Sequence, residues 1–131
     1  MIVLFSDGGT YKKRACVHDF QTGEYLVYNK VKGRTNNQLE YQSLMYALRH
    51  YGERYKGQDV IIHMDSQLII RQINGEYACK HRSLQPLLKQ ARNLMKRVGV
   101  ESDSLIWVCR RRNLAGKHLD MLRREERFRR I

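Results

Sequence analysis

The sequence predicts an α/β fold: a five-stranded mixed sheet, three antiparallel strands followed by two parallel ones, flanked by helices. Two observations predict it. The first third of the chain holds three short apolar or alternating runs separated by glycine-containing turns. Two later apolar runs, at 58–64 and 104–109, each precede a segment of helical periodicity. The order that results is βββ, α, β, αα, β, α, with helices on both faces of the sheet.

Met1 to Ser6 is apolar and β-branched and ends at Asp7-Gly8-Gly9-Thr10, where paired glycines permit a tight turn. Ala15, Val17 and Phe20 alternate, as do Tyr25, Val27 and Val31, and Thr22-Gly23 between them predicts a hairpin. From Asn36 to Tyr55 the residues Leu44, Ala47, Leu48 and Tyr51 recur at helical spacing, with Thr35 near the N-cap and Glu40 on the same stripe. Gln58 to Met64 carries Val60-Ile61-Ile62 and hands over at Asp65-Ser66 to a helix through Asn74. Ser83 is placed to cap a helix that has Pro86 in its tolerant first turn and runs to Val98, where Gly99 ends it. Ser104 to Cys109 is the fifth strand. After a loop at Asn113 to Lys117, an arginine-rich helix is expected to begin near Leu119.

A chain of 131 residues suits one domain spanning 1–131, and 42% hydrophobic with 29% charged residues is the composition of a chain that folds. The formal charge of +12 attracts polyanions, nucleic acid first among them. No segment approaches the ~20 apolar residues of a membrane span, and Met1 leads into a strand without a signal peptide's basic start. A cytoplasmic protein with neither membrane nor obligate protein partner is expected. Cys16, Cys79 and Cys109 are odd in number and form no CxxC pair, which argues for buried thiols rather than disulfides or zinc.

Three acids stand where structure alone does not ask for them: Asp7 and Asp65 at the ends of the first and fourth strands, and Glu40 on an apolar helix stripe. If those strands are parallel neighbours, their carboxyl ends form the crevice where α/β sheets bind ligands, and Glu40 can point at them. Clustered carboxylates repel one another unless a cation neutralises them, and an all-oxygen set suits Mg²⁺. The bland reading remains open for each acid alone: a turn cap, a helix cap, a first-turn dipole partner.

Phe5-Ser6-Asp7-Gly8-Gly9, Thr35-Asn36-Asn37-Gln38-Leu39-Glu40 and Asp65-Ser66-Gln67 resemble, in order, three motifs of the type 1 ribonuclease H family. Leu68 to Tyr77 resembles its compact members, which lack the extra basic helix and loop between the two middle helices. The resemblance spans nearly the whole chain and implies a ribonuclease H-like fold and cleavage of the RNA strand of an RNA–DNA hybrid. It also implies two Mg²⁺ ions, or Mn²⁺, held by Asp7, Glu40, Asp65 and Asp120, which activate water and stabilise the leaving 3′ oxygen to give 5′-phosphate and 3′-hydroxyl ends.

Asp120 takes the fourth place as the only suitably placed acid, although the loop from Asn113 departs from the family's Asn-x-x-Ala-Asp. His118 is the candidate for the auxiliary histidine that many members carry before that acid, and Arg110 matches an arginine that compact members carry after the fifth strand. Arg110 is thereby a candidate phosphate contact, with a solvated surface arginine as the alternative. Asn36, Asn37 and Gln67 are amides suited to 2′-hydroxyls and base edges, Asn36 being equally suited to capping. Gly8 and Gly9 can bring their backbone N–H groups close to the RNA strand. Arg123, Arg127 and Arg130 share a helical face, either a phosphate-tracking stripe or a solvated surface.

Two other functions compete. A nuclease or integrase of the same architecture is opposed by the TNN-x-x-E motif. A catalytically silent hybrid-binding module is opposed by four acids, since binding gains nothing from carboxylates set against phosphates. Whether duplex RNA is a second substrate is left open.

Overall fold

The computed structural model describes residues 1–129. Five strands form one sheet in the order β3-β2-β1-β4-β5, from β1 (Ile2–Gly9), β2 (Arg14–Asp19), β3 (Tyr25–Tyr28), β4 (Val60–Met64) and β5 (Leu105–Trp107). The first three are antiparallel neighbours, whereas β4 runs parallel to both β1 and β5. The expected sheet is thus observed, with α1 (Asn36–Arg54), α2 (Gln67–Ile73), α3 (Gln85–Val98) and α4 (Leu114–Arg129) around it. No further helix lies between α2 and α3. None of the described helices is long and apolar enough to cross a membrane.

Side chains alternate across β1 and β2 and divide the core. Leu4, Val17 and Ile62 join Leu44, Leu48 and Met95 in the main core with α1, α2 and α3. Phe5 and Cys16 face the other way and form a smaller cluster with Ala115 and Leu119 of α4, against which Val3, Val27, Leu114 and Leu122 pack. Full burial of one large apolar side chain stabilises by about 1.5–3 kcal/mol, so this small second cluster holds α4 much less firmly than the main core holds α1. Polar ties must do part of that work. Of the cysteines, Cys16 alone is buried; Cys79 and Cys109 are half-buried.

Several boundaries differ from the sequence expectation. β1 does not stop at Ser6: pairing with β2 continues to Gly9 opposite Arg14, while pairing with β4 ends at Phe5 opposite His63. The backbone of Asp7 is therefore paired with β2 on one side and has no β4 partner on the other. Leu84, not Ser83, holds the N-cap position of α3, the Ser83 hydroxyl being engaged with His81 Nδ1 at 2.7 Å. β5 is only three residues long.

The largest correction concerns α4, which begins at Leu114 rather than near Leu119. Asn113 starts it, because its carbonyl accepts from Lys117 N–H at 2.9 Å and its side-chain oxygen from Gly116 N–H at 3.4 Å. The presumed loop is the helix's first turn.

Candidate functional site

The site lies beyond the last β1–β4 pair, at the carboxyl ends of these two parallel strands. Asp7 is 1% exposed there, and Asp65 follows directly after β4. Glu40 arrives from α1 because Gly8 has no side chain. A Cβ on Gly8 would stand 2.2 Å from the Leu39 carbonyl oxygen, so only glycine lets α1 lean on β1 this closely. The same approach brings Glu40 Oε1 to the Gly8 N–H at 2.8 Å. Of the two glycines expected to offer backbone to a nucleic-acid strand, Gly8 has spent its amide on Glu40, and only Gly9 has open space beside it.

Ligand oxygens of Asp7, Glu40 and Asp65 all lie within 4.8 Å of one another. Like unit charges at that spacing repel by about 3–4 kcal/mol per pair at an effective dielectric of 20. Burial is the main influence that pushes Asp7 above the usual carboxylate range, with Asp65 adding to it and Glu40 and Arg110 opposing it. Burial and the Asp7 charge push Glu40 well above its ordinary value. Glu40 Oε2 is buried without any hydrogen-bond partner. An acceptor left bare at the meeting point of three acids fits a hard divalent cation.

Arg110 supplies positive charge to this cluster. From the short 3₁₀ turn Arg110–Arg112, its Nη1 donates to Asp7 Oδ1 at 2.5 Å and to Asp65 Oδ2 at 3.1 Å, and its Nη2 to Asp120 Oδ1 at 3.0 Å. Burial works against the guanidinium's charge, but Asp7, Asp120 and Asp65 together outweigh it and hold the arginine firmly protonated. Within the protein itself Arg110 is thus a counter-ion that links Asp120 to Asp7 and Asp65. Gly116 makes room, since a Cβ there would stand 2.6 Å from Arg110 Nη1.

The cleft has a volume of about 450 Å³, and besides the four acids and Arg110 it is lined by Gly9, Asn36, Asn37, Arg14 and Arg123 among others. Asn36 is not the cap of α1. Thr35 is, in a reciprocal arrangement with Gln38, and Asn36 Oδ1 instead accepts from the Thr10 N–H at 3.3 Å. Gln67 is exposed in the first turn of α2 and is not part of the cleft lining.

His118 also lies away from the cleft lining. Two residues before Asp120 on a helix is about 200° around the axis. Its ring stacks on Tyr25 with centroids 4.2 Å apart. Burial and the neighbouring His18 hold the imidazole below its ordinary pKa. Arg123 lines the cleft; Arg127 lines an adjoining groove with Arg111, Lys117 and Arg124. Arg130 lies outside the described residues.

Sequence reasoning missed Asn113, which is fully buried and donates to Asp65 Oδ2 at 2.9 Å and to the Ser6 carbonyl at 3.0 Å. An asparagine followed by Leu-Ala-Gly was the available signal of a helix cap. It also missed Trp107, whose indole N–H donates to the Asp65 carbonyl at 3.2 Å. Arg14 and Tyr11 in the cleft wall were likewise not foreseen.

A reverse transcriptase-like family model matches residues 20–119. Among solved structures, ribonuclease H1 LC11 in complex with an RNA/DNA hybrid superimposes with a TM-score of 0.70 at 22% identity, over 91% of this chain and 93% of that one. LC11 ribonuclease H1, isolated from compost by a metagenomic approach, gives 0.68 at 26% identity over 90% and 91%. The N-terminal ribonuclease H domain of Rv2228c from Mycobacterium tuberculosis gives 0.66 at 25% identity over 92% and 96%.

Proposed function

Because the chain belongs to the reverse transcriptase-like family and is built as a type 1 ribonuclease H of the compact kind, we propose that it is an endonuclease cutting the RNA strand of RNA–DNA hybrids. The observation that carries this reading is the bare, buried Glu40 Oε2 in a cluster with Asp7 and Asp65, at the floor of a cleft whose walls are cationic and amide-bearing. The chain's net charge of +12 supports a polyanionic substrate.

Asp7, Glu40, Asp65 and Asp120 are the residues that would hold divalent metal, with two Mg²⁺ ions, or Mn²⁺ in their place, supplying activation of water and neutralisation of charge at the leaving oxygen. The Gly8 amide and the Asn113 side chain hold Glu40 and Asp65 in orientation through one oxygen each. Arg110 holds the acids together before metal and substrate arrive and is then free to meet a phosphate oxygen. Asn37 and the open backbone at Gly9 suit a minor groove carrying 2′-hydroxyls. Expected products carry 5′-phosphate and 3′-hydroxyl ends.

The test is cleavage of an end-labelled hybrid in Mg²⁺, beside single-stranded RNA, duplex RNA and duplex DNA. Cleavage of the hybrid and protection of single-stranded RNA and duplex DNA is the expected result. The duplex RNA arm defines the breadth of substrate. Hybrid binding without cleavage would instead identify a silent binding module, and 3′-phosphate ends would overturn the proposed chemistry.

A further inference from the structure

The turn between β1 and β2 carries a cation cluster that the proposed chemistry does not use. Tyr11, Lys12 and Lys13 form a 3₁₀ turn in which Lys12 and Lys13 adopt left-handed backbone angles, φ 55° and 47°. Arg14 begins β2 beside them. Their polar ends converge on one carboxylate, Glu126 of α4: Lys12 Nζ lies 2.5 Å from Oε2, the Tyr11 hydroxyl donates to Oε2 at 3.3 Å, and Arg14 Nη2 donates to Oε1. Arg123 lies over the Tyr11 ring, 5.1 Å from its centroid.

Three features say that this is more than a surface ion pair. Lys12 and Arg14 share a single carboxylate while Arg123 stands over the neighbouring Tyr11 ring, so the cluster keeps an excess of positive charge. Arg14 has a donor to spare: Nε is taken by Asn29 and Nη2 by Glu126, yet Nη1 is buried with no partner. Finally, Glu126 stands in the closing turns of α4, where the helix dipole disfavours an acid. Its carboxyl is nonetheless held down to about 2 by the Lys12 and Arg14 partners. Two oxygens gathered by a hydroxyl, an ammonium and a guanidinium imitate a bound phosphate. Tyr11, Arg14 and Arg123 line the same cleft as Asp7, Glu40, Asp65 and Asp120.

We infer that Tyr11, Lys12, Arg14 and Arg123 form a backbone-phosphate subsite beside the carboxylate cluster, in which Glu126 is a resident anion that a phosphodiester of the bound strand displaces. The inference rests on the hybrid reading only for the identity of the polyanion. Displacement exchanges like for like: the phosphodiester takes over the donors that Glu126 gives up, and the released carboxylate returns to water. The subsite sets grip and register along the backbone and takes no part in the chemical step.

The two partners of the pair provide the test, because a phosphate subsite and a structural clasp predict different signs. Hybrid affinity is measured in Ca²⁺ at several salt concentrations for the parent, Arg14→Gln and Glu126→Gln. Arg14→Gln is expected to weaken binding roughly tenfold and flatten the salt dependence, whereas Glu126→Gln is expected to tighten binding about threefold and steepen it. A clasp that merely pins α4 predicts equal losses of thermal stability and no gain of affinity in Glu126→Gln; that result overturns the inference. Should Arg14→Gln fold poorly, the sign of the Glu126→Gln effect decides alone. Hybrids with neutral methylphosphonate linkages in the DNA strand or in the RNA strand identify the source of the phosphate, since the Arg14→Gln penalty vanishes with the strand that supplies it. Persistence of the penalty on both neutral strands also overturns the subsite. Mg²⁺-dependent cleavage by the parent is scored separately, so failure of the nuclease reading is distinguishable from failure of the subsite.

Discussion

Buried acids stand near both ends of the sheet, and they are treated in opposite ways. Asp19, at the end of β2, is 0% exposed and fully provided for. Its carboxylate bonds His50 Nε2 at 2.8 Å and accepts from the Tyr55 hydroxyl at 2.7 Å, the Gln21 amide side chain at 2.8 Å, and the backbone N–H groups of Gln21 and Thr22. Burial raises its pKa, but these partners win and bring it down to about 2. Asp7 and Glu40 are equally buried and under-provided, and both are pushed up. Burial of an acid therefore does not mark a working site. A shortage of donors around it does, since that shortage is what a cation can make good.

The largest expected effect breaks the contrast at its functional end. Asp7→Asn or Asp65→Asn should keep the fold and lower hybrid cleavage by at least about a thousandfold, which is about 4 kcal/mol of transition-state stabilisation. Near-parental turnover in either variant would remove these acids from the site. Asp19→Ala should instead spare the chemistry and cost about 3 kcal/mol of stability in urea, because several buried donors lose their acceptor at once. In EDTA, Asp7→Asn should change stability in the opposite direction, a gain of about 1 kcal/mol.

Acid titration sharpens the same comparison. Asp19 is depressed from 3.8 to about 2, so its contribution is complete above about pH 4 and is lost as the pH falls through 2. That amounts to about 2 kcal/mol. Asp7 and Glu40 are raised, so their penalty is greatest at neutral pH and is relieved as the pH falls through their elevated values. Metal-free protein should gain stability on mild acidification before losing it below pH 4, and Mg²⁺ should abolish the gain. A monotonic decline from neutrality in EDTA would contradict the assigned directions. The smallest effect is expected of Arg110→Gln: a melting temperature in EDTA lower by roughly 3 °C, with a larger stabilisation by Mg²⁺ than in the parent. Calorimetric titration and thermal melts check both halves.

The sheet and three of the acids were legible because each rests on local chemistry. Apolar runs bounded by glycine give β1 to β3, a capped stripe gives α1 with Glu40, and Asp-Ser after an apolar run gives the β4–α2 corner. What was illegible depends on contacts between distant residues. Asn113 to Lys117 reads as a loop, yet Gly116 lies inside α4, and its missing side chain leaves the space that the Arg110 guanidinium fills. His118 stands two residues before Asp120 in the sequence, but the helical turn directs its ring to Tyr25. Arg110 reads as a phosphate contact or a solvated surface cation, and only the fold brings it within reach of Asp7, 103 positions away. The role of Asn113 as joint partner of Ser6 and Asp65 is invisible for the same reason.

Trp107 has an optical consequence. It is the chain's single tryptophan, it is 46% exposed, and its indole N–H is bonded to the backbone of Asp65, one of the acids expected to hold metal. Tryptophan emission, excited selectively over the eight tyrosines, therefore comes from one ring attached to the site. A shift in intensity or wavelength on adding Mg²⁺ would give a label-free occupancy curve, and stacking or shielding by a nucleic-acid strand in Ca²⁺ would give a second, separable signal from the same chromophore.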